Sequence, residues 1–232
     1  MAIADDIASD IDGVLSDTWN IRDGQVVPDT EDVALSGGGV KLDAVMLYAD
    51  LANSTELAMW DRRVAARICK AFLASASRLI RHKSGHIRSF DGDRVMGVFV
   101  GPTMNTNAAS CALHINWMFT KLLKPKFEAR YPRLEDGTYK LAHATGVDRS
   151  EVLVVRGGIR NNNDLIWIGR APNVAAKLSA LRVSPYHSFI THDVYSRLRD
   201  DAKLSGYNDM WQRCTWDGPV DTAYRSSWWS KP

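Results

Sequence analysis

Cysteine is scarce in this chain, and basic residues are nearly missing from its first forty positions. Cys69, Cys111 and Cys214 are odd in number and far apart, with no Cys-x-x-Cys pair and no histidine cluster at metal-ligand spacing. That pattern excludes a disulfide framework and a zinc knuckle and leaves three reduced, mostly buried thiols. No apolar run approaches the roughly 18 residues of a membrane-spanning helix. The start, Met1 to Asp6, also lacks the basic and apolar regions of a secretion signal. A cytoplasmic location with no membrane partner is the expectation. With 16 glycines and 8 prolines the chain is neither collagenous nor of low complexity, and 45% apolar residues in 232 suffice for one large core.

Charge is unevenly spread. Residues 1 to 40 hold nine acidic residues and a single basic one, Arg22, which leaves 28 basic against 18 acidic residues in the rest. A basic body suits an anionic substrate. In the acidic segment Ile3, Ile7, Ile11, Val14 and Leu15 recur at helical spacing, so a short amphipathic helix suited to a partner subunit is expected, followed by a turn-rich edge arm. Residues 1 to 41 are therefore read as an N-terminal helix and arm, and residues 42 to 232 as the main domain.

Leu42 to Leu51 reads as a buried strand that runs into a helix capped around Asn53-Ser54-Thr55 and extends to Ser84-Gly85. His86 to Val100 alternates about Asp91-Gly92, a hairpin signal because that pair supplies positive φ angles. A second helix spans Thr106 to Ala129 and stops at Tyr131-Pro132. Strands are expected at Tyr139 to Val147, Val152 to Ile159 and Leu165 to Gly169. A third helix has Pro172 in its first turn, and further strands include the Trp-rich tail. The order β-α-β-β-α-β predicts an α+β fold with a ferredoxin-like core, an antiparallel sheet backed by helices on one face, and added C-terminal strands.

Two carboxylates stand out. Asp50 leaves its strand just before a helix N-terminus, where the segment Leu51, Ala52, Asn53, Ser54 and Thr55 offers backbone amides to phosphate. Asp93 enters from the neighbouring hairpin, so the pair can share divalent metal over a nucleoside triphosphate. Asn173 and Lys177 lie four apart and project from one face of the third helix, while Val174, Leu178 and Leu181 hold the other in the core. His114, His143, His187 and His192 show no spacing of a metal site or proton relay.

In Tyr48-Ala49-Asp50-Leu51 with Ser54-Thr55, in Phe90-Asp91-Gly92-Asp93, and in Ile168-Gly169 with Pro172-Asn173-Val174-Ala175-Ala176-Lys177-Leu178, the chain resembles the class III nucleotidyl cyclases over residues 42 to about 200. The resemblance implies a homodimer whose two sites lie between subunits. Asp50, Asp93 and the Leu51 backbone would hold two Mg²⁺ or Mn²⁺ ions, the 3′-hydroxyl of the nucleotide would attack its own α-phosphate, and Asn173 of the other subunit would position the ribose. The family normally has Arg where Lys177 stands; Lys keeps the charge without the planar fork, and Arg170, Arg160 and Arg225 are candidate substitutes.

At the positions where adenylyl cyclases read the base with Lys and Asp, this chain has Ser89 and Ile166. Ile166 has no polar atom and Ser89 cannot reach as Lys does, so the usual purine readout is missing. Together with the N-terminal arm, the pattern looks like the bacterial pyrimidine cyclases of the antiphage Pycsar system, whose product activates a separate effector. UTP is favoured over CTP because uracil offers two carbonyl acceptors to donors such as Arg88, Ser89 or Arg94, with Tyr48 as a floor to the pocket. A cytidylate cyclase and a non-catalytic, nucleotide-sensing relative are the alternatives. A polymerase palm would share the core, but residues 1 to 41 are too short and too acidic for fingers or thumb, so nucleic acid is not an expected partner.

Overall fold

The computed structural model describes residues 2–232. Helix α1 (Ile3–Ser16) leads to a short strand β1 (Asn20–Asp23), a single 3-10 turn and the long strand β2 (Gly38–Ala52). Helices α2 (Ser54–Trp60) and α3 (Arg62–His82) precede the hairpin of β3 (His86–Asp91) and β4 (Arg94–Phe99). Helix α4 (Met104–Trp117) continues through a π-helical stretch, Met118–Leu123, into α5 (Lys124–Glu128) and α6 (Pro132–Glu135). Then come β5 (Ala142–Ile159), β6 (Asn162–Gly169), α7 (Arg170–Ser179), β7 (Ser188–Thr191), α8 (His192–Tyr195) and α9 (Asp200–Lys203). The chain closes with β8 (Leu204–Ser205), β9 (Asn208–Asp209), β10 (Gln212–Thr215) and β11 (Thr222–Ser226).

The centre is one antiparallel ladder. β2 pairs with β5 over fourteen positions, from Gly39 opposite Val155 to Ala52 opposite Ala142. The main sheet runs β10-β11-β7-β5-β2-β4-β3, while β1 adds to β2 and β6 to β5 at the Gly39 end. Successive side chains of a strand point to opposite faces. Val45, Leu47 and Ala49 therefore pack with Ile68 and Phe72 of α3 and Leu113 of α4. Ala44 and Met46 pack on the other face with Met96, Val98, Ala171 and Ala175.

The third helix thus covers the second face of the sheet, where helices on one face were expected. Its apolar stripe, Ala171, Val174, Ala175 and Leu178, is fully buried. Contact is closest at Gly146, where an added Cβ would lie 2.2 Å from the Ala175 carbonyl oxygen and 2.4 Å from the Ser179 nitrogen. Gly146 sits opposite Tyr48, so this approach lays the C-terminal half of α7 close to the end of β2.

Three boundaries differ from expectation. The division after residue 41 falls inside β2, which already starts at Gly38, and Val27 and Val33 of the arm are part of the core. Two expected strands are the single β5, because the polar run that reads as a break finds partners in place. Asp148, with no exposed surface, accepts from Thr191 Oγ1 at 2.6 Å and from Arg170 at 3.1 and 3.2 Å, and Arg149 pairs with Asp43 on β2. In the hairpin, Asp91 pairs with Arg94, so the two loop residues are Gly92 and Asp93, with Gly92 at φ 61°. No helix among the described residues is long and apolar enough to cross a membrane.

His114 and His143 are buried in the packing, His187 is half-buried and His192 is exposed. His143 Nε2 lies 3.2 Å from Asn116 Oδ1, while Asn116 donates to the Trp228 carbonyl at 2.8 Å, so Nε2 carries the proton; the ring stacks on His187 at 5.1 Å. Burial, reinforced by the charges of His187 and Arg182, holds His143 well below the usual 6.5. Burial beside Lys83 and His82 lowers His114 to about 4. The unfolded chain therefore binds protons at both positions first. The stability these neutral rings contribute is complete above the ordinary histidine value and is lost as pH falls below it. Urea unfolding between pH 7 and 5 should show stability falling by up to about 1.4 kcal/mol per pH unit per histidine, and His143→Gln should flatten the slope by its share.

Candidate active site

Asp50 stands near the end of β2, opposite Arg94 of β4 and Ala144 of β5. Asp93 immediately precedes Arg94 in the hairpin loop. Adjacent strands lie about 4.8 Å apart, so the two carboxylates come together at one end of the sheet. Burial raises the Asp50 pKa, hydrogen bonding to Arg182 opposes this, and the nearby Asp93 charge raises it again. Two like charges in a half-buried position call for a cation.

Beyond Asp50 the chain turns sharply. Asn53 adopts the left-handed conformation, φ 62° and ψ 22°, and α2 starts at Ser54. The expected side-chain cap is not formed, because the Asn53 amide turns away to donate to the Lys140 carbonyl at 3.3 Å. The first amides of α2 are thus free of side-chain acceptors. Ala52 is buried, Ser54 is half-buried and Thr55 is exposed.

No group of three or more His, Cys, Asp or Glu side chains gathers as a metal cage among the described residues. Asp50, Asp93 and the Leu51 carbonyl form a smaller, all-oxygen set, and Asp50 already pairs with a cation. That set fits Mg²⁺ or Mn²⁺, hard ions that keep several ligand positions for water and substrate phosphates.

Tyr48, Met96 and Ser89 form one cross-strand row, and Asp50, Arg94 and Asp91 form the next on the same face. Arg94 lies over the Tyr48 ring at 5.5 Å and donates to Asp91 at 2.7 Å, while its Nε has no partner. The Tyr48 hydroxyl donates to Met96 Sδ at 3.1 Å. Arg88 falls at a β-bulge between Ile87 and Ser89 and points to the N-terminal arm, 3.5 Å from Asp29. Ile166 lies elsewhere. Its partner on β5 is Val155, eleven positions from Ala144, which partners Asp50, and that span is roughly 35 Å along the strand.

Asn173 and Lys177 are exposed on the outer side of α7, and Asn173 donates back to the Gly169 carbonyl at 3.0 Å. The charges acting on Asp50 are those of Asp93, Arg182 and Arg94 of its own chain. One chain thus presents Asp50, Asp93, Tyr48, Ser89 and Arg94 at one end of the sheet, Asn173 and Lys177 on the outward face of α7, and Ile166 on β6.

The candidate substitute cations do not gather at Asp50. Arg170 is engaged by Asp148 and Asp193, Arg225 lies over Tyr186 at 4.0 Å, and Arg160 is exposed in the β5–β6 turn. The cation at Asp50 is Arg182, unmarked by the sequence reading, whose Nη2 donates to Asp50 Oδ2 at 2.7 Å and approaches the Leu51 carbonyl at 3.5 Å. It lies 132 residues from Asp50 in a loop without periodicity. The one signal was a basic residue just after the helix whose face carries Asn173 and Lys177.

No protein-family model matches the chain. It is 50% identical over its full length to a uridylate cyclase from Rhodovulum sp. (strain MB263), of which it covers 99%. Uridylate cyclases from Burkholderia cepacia and Xanthomonas perforans are 39% and 36% identical, over 98% of this chain and 98% of theirs. The fold matches adenylyl cyclase CyaB from P. aeruginosa with a TM-score of 0.67 at 18% identity, over 81% of this chain and 95% of that one. Guanylyl cyclase Cya2 matches with a TM-score of 0.65 at 16% identity, over 84% and 96%. Related along its whole length to these enzymes, the chain belongs to the uridylate cyclase family and is a nucleotidyl cyclase with the class III cyclase fold.

Proposed function

We propose that this chain converts UTP to 3′,5′-cyclic UMP and pyrophosphate in a homodimer with two composite sites. The observation that supports the composite site is that Asn173 and Lys177 are exposed on the outward face of α7, while the opposite face of that helix packs on the sheet that carries Asp50. In the reaction the 3′-oxygen bonds to the α-phosphorus, the bond to pyrophosphate breaks, and the hydroxyl proton leaves to solvent. When bound, two Mg²⁺ or Mn²⁺ ions would neutralise the triphosphate and make the 3′-hydroxyl a better nucleophile. Asp50, the Leu51 carbonyl and Asp93 hold those ions, and the amides from Ala52 to Thr55 hold phosphate oxygens. Asn173 of the partner subunit orients the ribose, and Lys177 of the partner subunit offsets charge growing on the phosphoryl oxygens.

Uracil presents two carbonyl oxygens and one N–H. Arg94 and Ser89 supply donors beside Tyr48, with Ile166 of the partner subunit adding only apolar contact and Arg88 bracing the hairpin through Asp29. The relatives named uridylate cyclase support the choice of base. The product is proposed to be a second messenger that activates a separate effector in cytoplasmic antiphage defence, the role implied by the likeness to the Pycsar cyclases.

Incubating the purified protein with each labelled ribonucleoside triphosphate and Mn²⁺ should give cyclic UMP, identified by mass spectrometry. Cyclic CMP or a purine product as the main species would overturn the choice of base, and no turnover with any of the four would favour a nucleotide sensor. Asp93→Asn and Lys177→Met should each lower turnover by about a hundredfold or more. Mixed and re-equilibrated, the two variants should recover about a quarter of wild-type activity per chain, since half the dimers then hold one intact site. Absence of recovery, with mixed dimers demonstrated by native mass spectrometry, would contradict composite sites.

A further inference from the structure

Arg182 is held in two places at once. Its Nη1 donates to the Ser179 and Leu181 carbonyls, at 2.7 and 2.9 Å, where α7 ends. Its Nη2 contacts the Asp50 carboxylate and the Leu51 carbonyl, at 2.7 and 3.5 Å. Those two groups are the ones read as metal ligands on β2, so the guanidinium makes the contacts that a divalent ion needs. A positive charge there relieves the repulsion between Asp50 and Asp93, and the pair is only partly screened, with side-chain exposures of 34% for Arg182 and 15% for Asp50.

We propose that Arg182 is an exchangeable counter-ion: it neutralises Asp50 until divalent metal arrives with the nucleotide, then moves to the triphosphate oxygens. The inference rests on reading Asp50 as a metal ligand. Two carboxylates, two divalent ions and a fully ionised triphosphate sum to a net charge of −2, so the loaded site still needs cations from the protein. Arg94 is already shared with Asp91. Arg182, displaced from Asp50 yet tethered through Nη1 to the end of α7, stays within reach, and its planar fork suits phosphate oxygens better than a point charge would. Arg182 therefore opposes metal binding alone and favours metal and nucleotide together, which is a positive coupling between the two ligands.

The test separates these opposite signs. Mn²⁺ binding to the nucleotide-free protein is measured by electron paramagnetic resonance, and binding of a non-cyclisable UTP analogue in saturating Mn²⁺ by calorimetry. Arg182→Met and Arg182→Gln should each bind Mn²⁺ alone about tenfold more tightly and the analogue about tenfold more weakly; Arg182→Lys should regain part of the analogue affinity. Weaker binding of both ligands, or no change in either, would overturn the exchange, and two neutral variants guard against one that fails to fold. Asp50→Asn is the control. If it leaves Mn²⁺ binding intact, the metal-site reading itself falls; if it abolishes binding while the Arg182 variants bind Mn²⁺ as the wild type does, only the exchange falls.

Discussion

The ladder between β2 and β5 governs this molecule. Fourteen paired positions make a stiff, continuous ribbon, and its register sets where the candidate site residues lie. Asp50 leaves the sheet at the Ala52 end, while β6, with Ile166 on it, is paired at the Gly39 end. Strand rise turns that register into a separation of tens of ångströms along the ribbon. In the proposed function, Ile166 would therefore reach the site from a second copy of the chain.

Charge is arranged along the same axis. At the Ala52 end two carboxylates lie on neighbouring strands, where burial and mutual repulsion raise the Asp50 pKa and the Arg182 guanidinium opposes the rise. In the middle of β5 a second buried carboxylate, Asp148, is fully engaged by Thr191 and Arg170. The contrast separates structure from function. Asp148 is tied into a closed network with no exposed surface, whereas Asp50 has one side-chain cation, held by a loop arginine that keeps a third of its side chain exposed. Breaking the first destabilises the fold; exchange of the second is the step proposed for Arg182.

Much of this was legible in the residues. An apolar run ending in Asp50 and a hairpin signal at Asp91-Gly92 predict two adjacent strands with Asp50 and Asp93 together, because strand pairing and turn chemistry are local; the turn itself falls one residue later. The four-residue spacing of Asn173 and Lys177 placed both on the open side of α7 for the same reason. What was hidden depends on contacts distant in sequence. The polar run Asp148 to Glu151 looks like a break, yet β5 continues because Asp148 and Arg149 find their partners on other elements. Arg182 carries no periodic pattern, only its place just after α7; it reaches Asp50 because α7 lies on Gly146, directly beside Tyr48. Arg88, read as a candidate base donor from its place near the hairpin, lies at a one-residue bulge 3.5 Å from Asp29, a contact no local pattern announces.

The central claim is that a single chain carries two incomplete halves of a site, which close only across a dimer. The most direct measurement is specific activity followed through dilution, with the dimer fraction determined by mass photometry on the same samples. Activity per chain should fall in proportion to the dimer fraction and vanish in the monomer. A monomer that cyclises nucleotide at the undiluted rate would contradict the account.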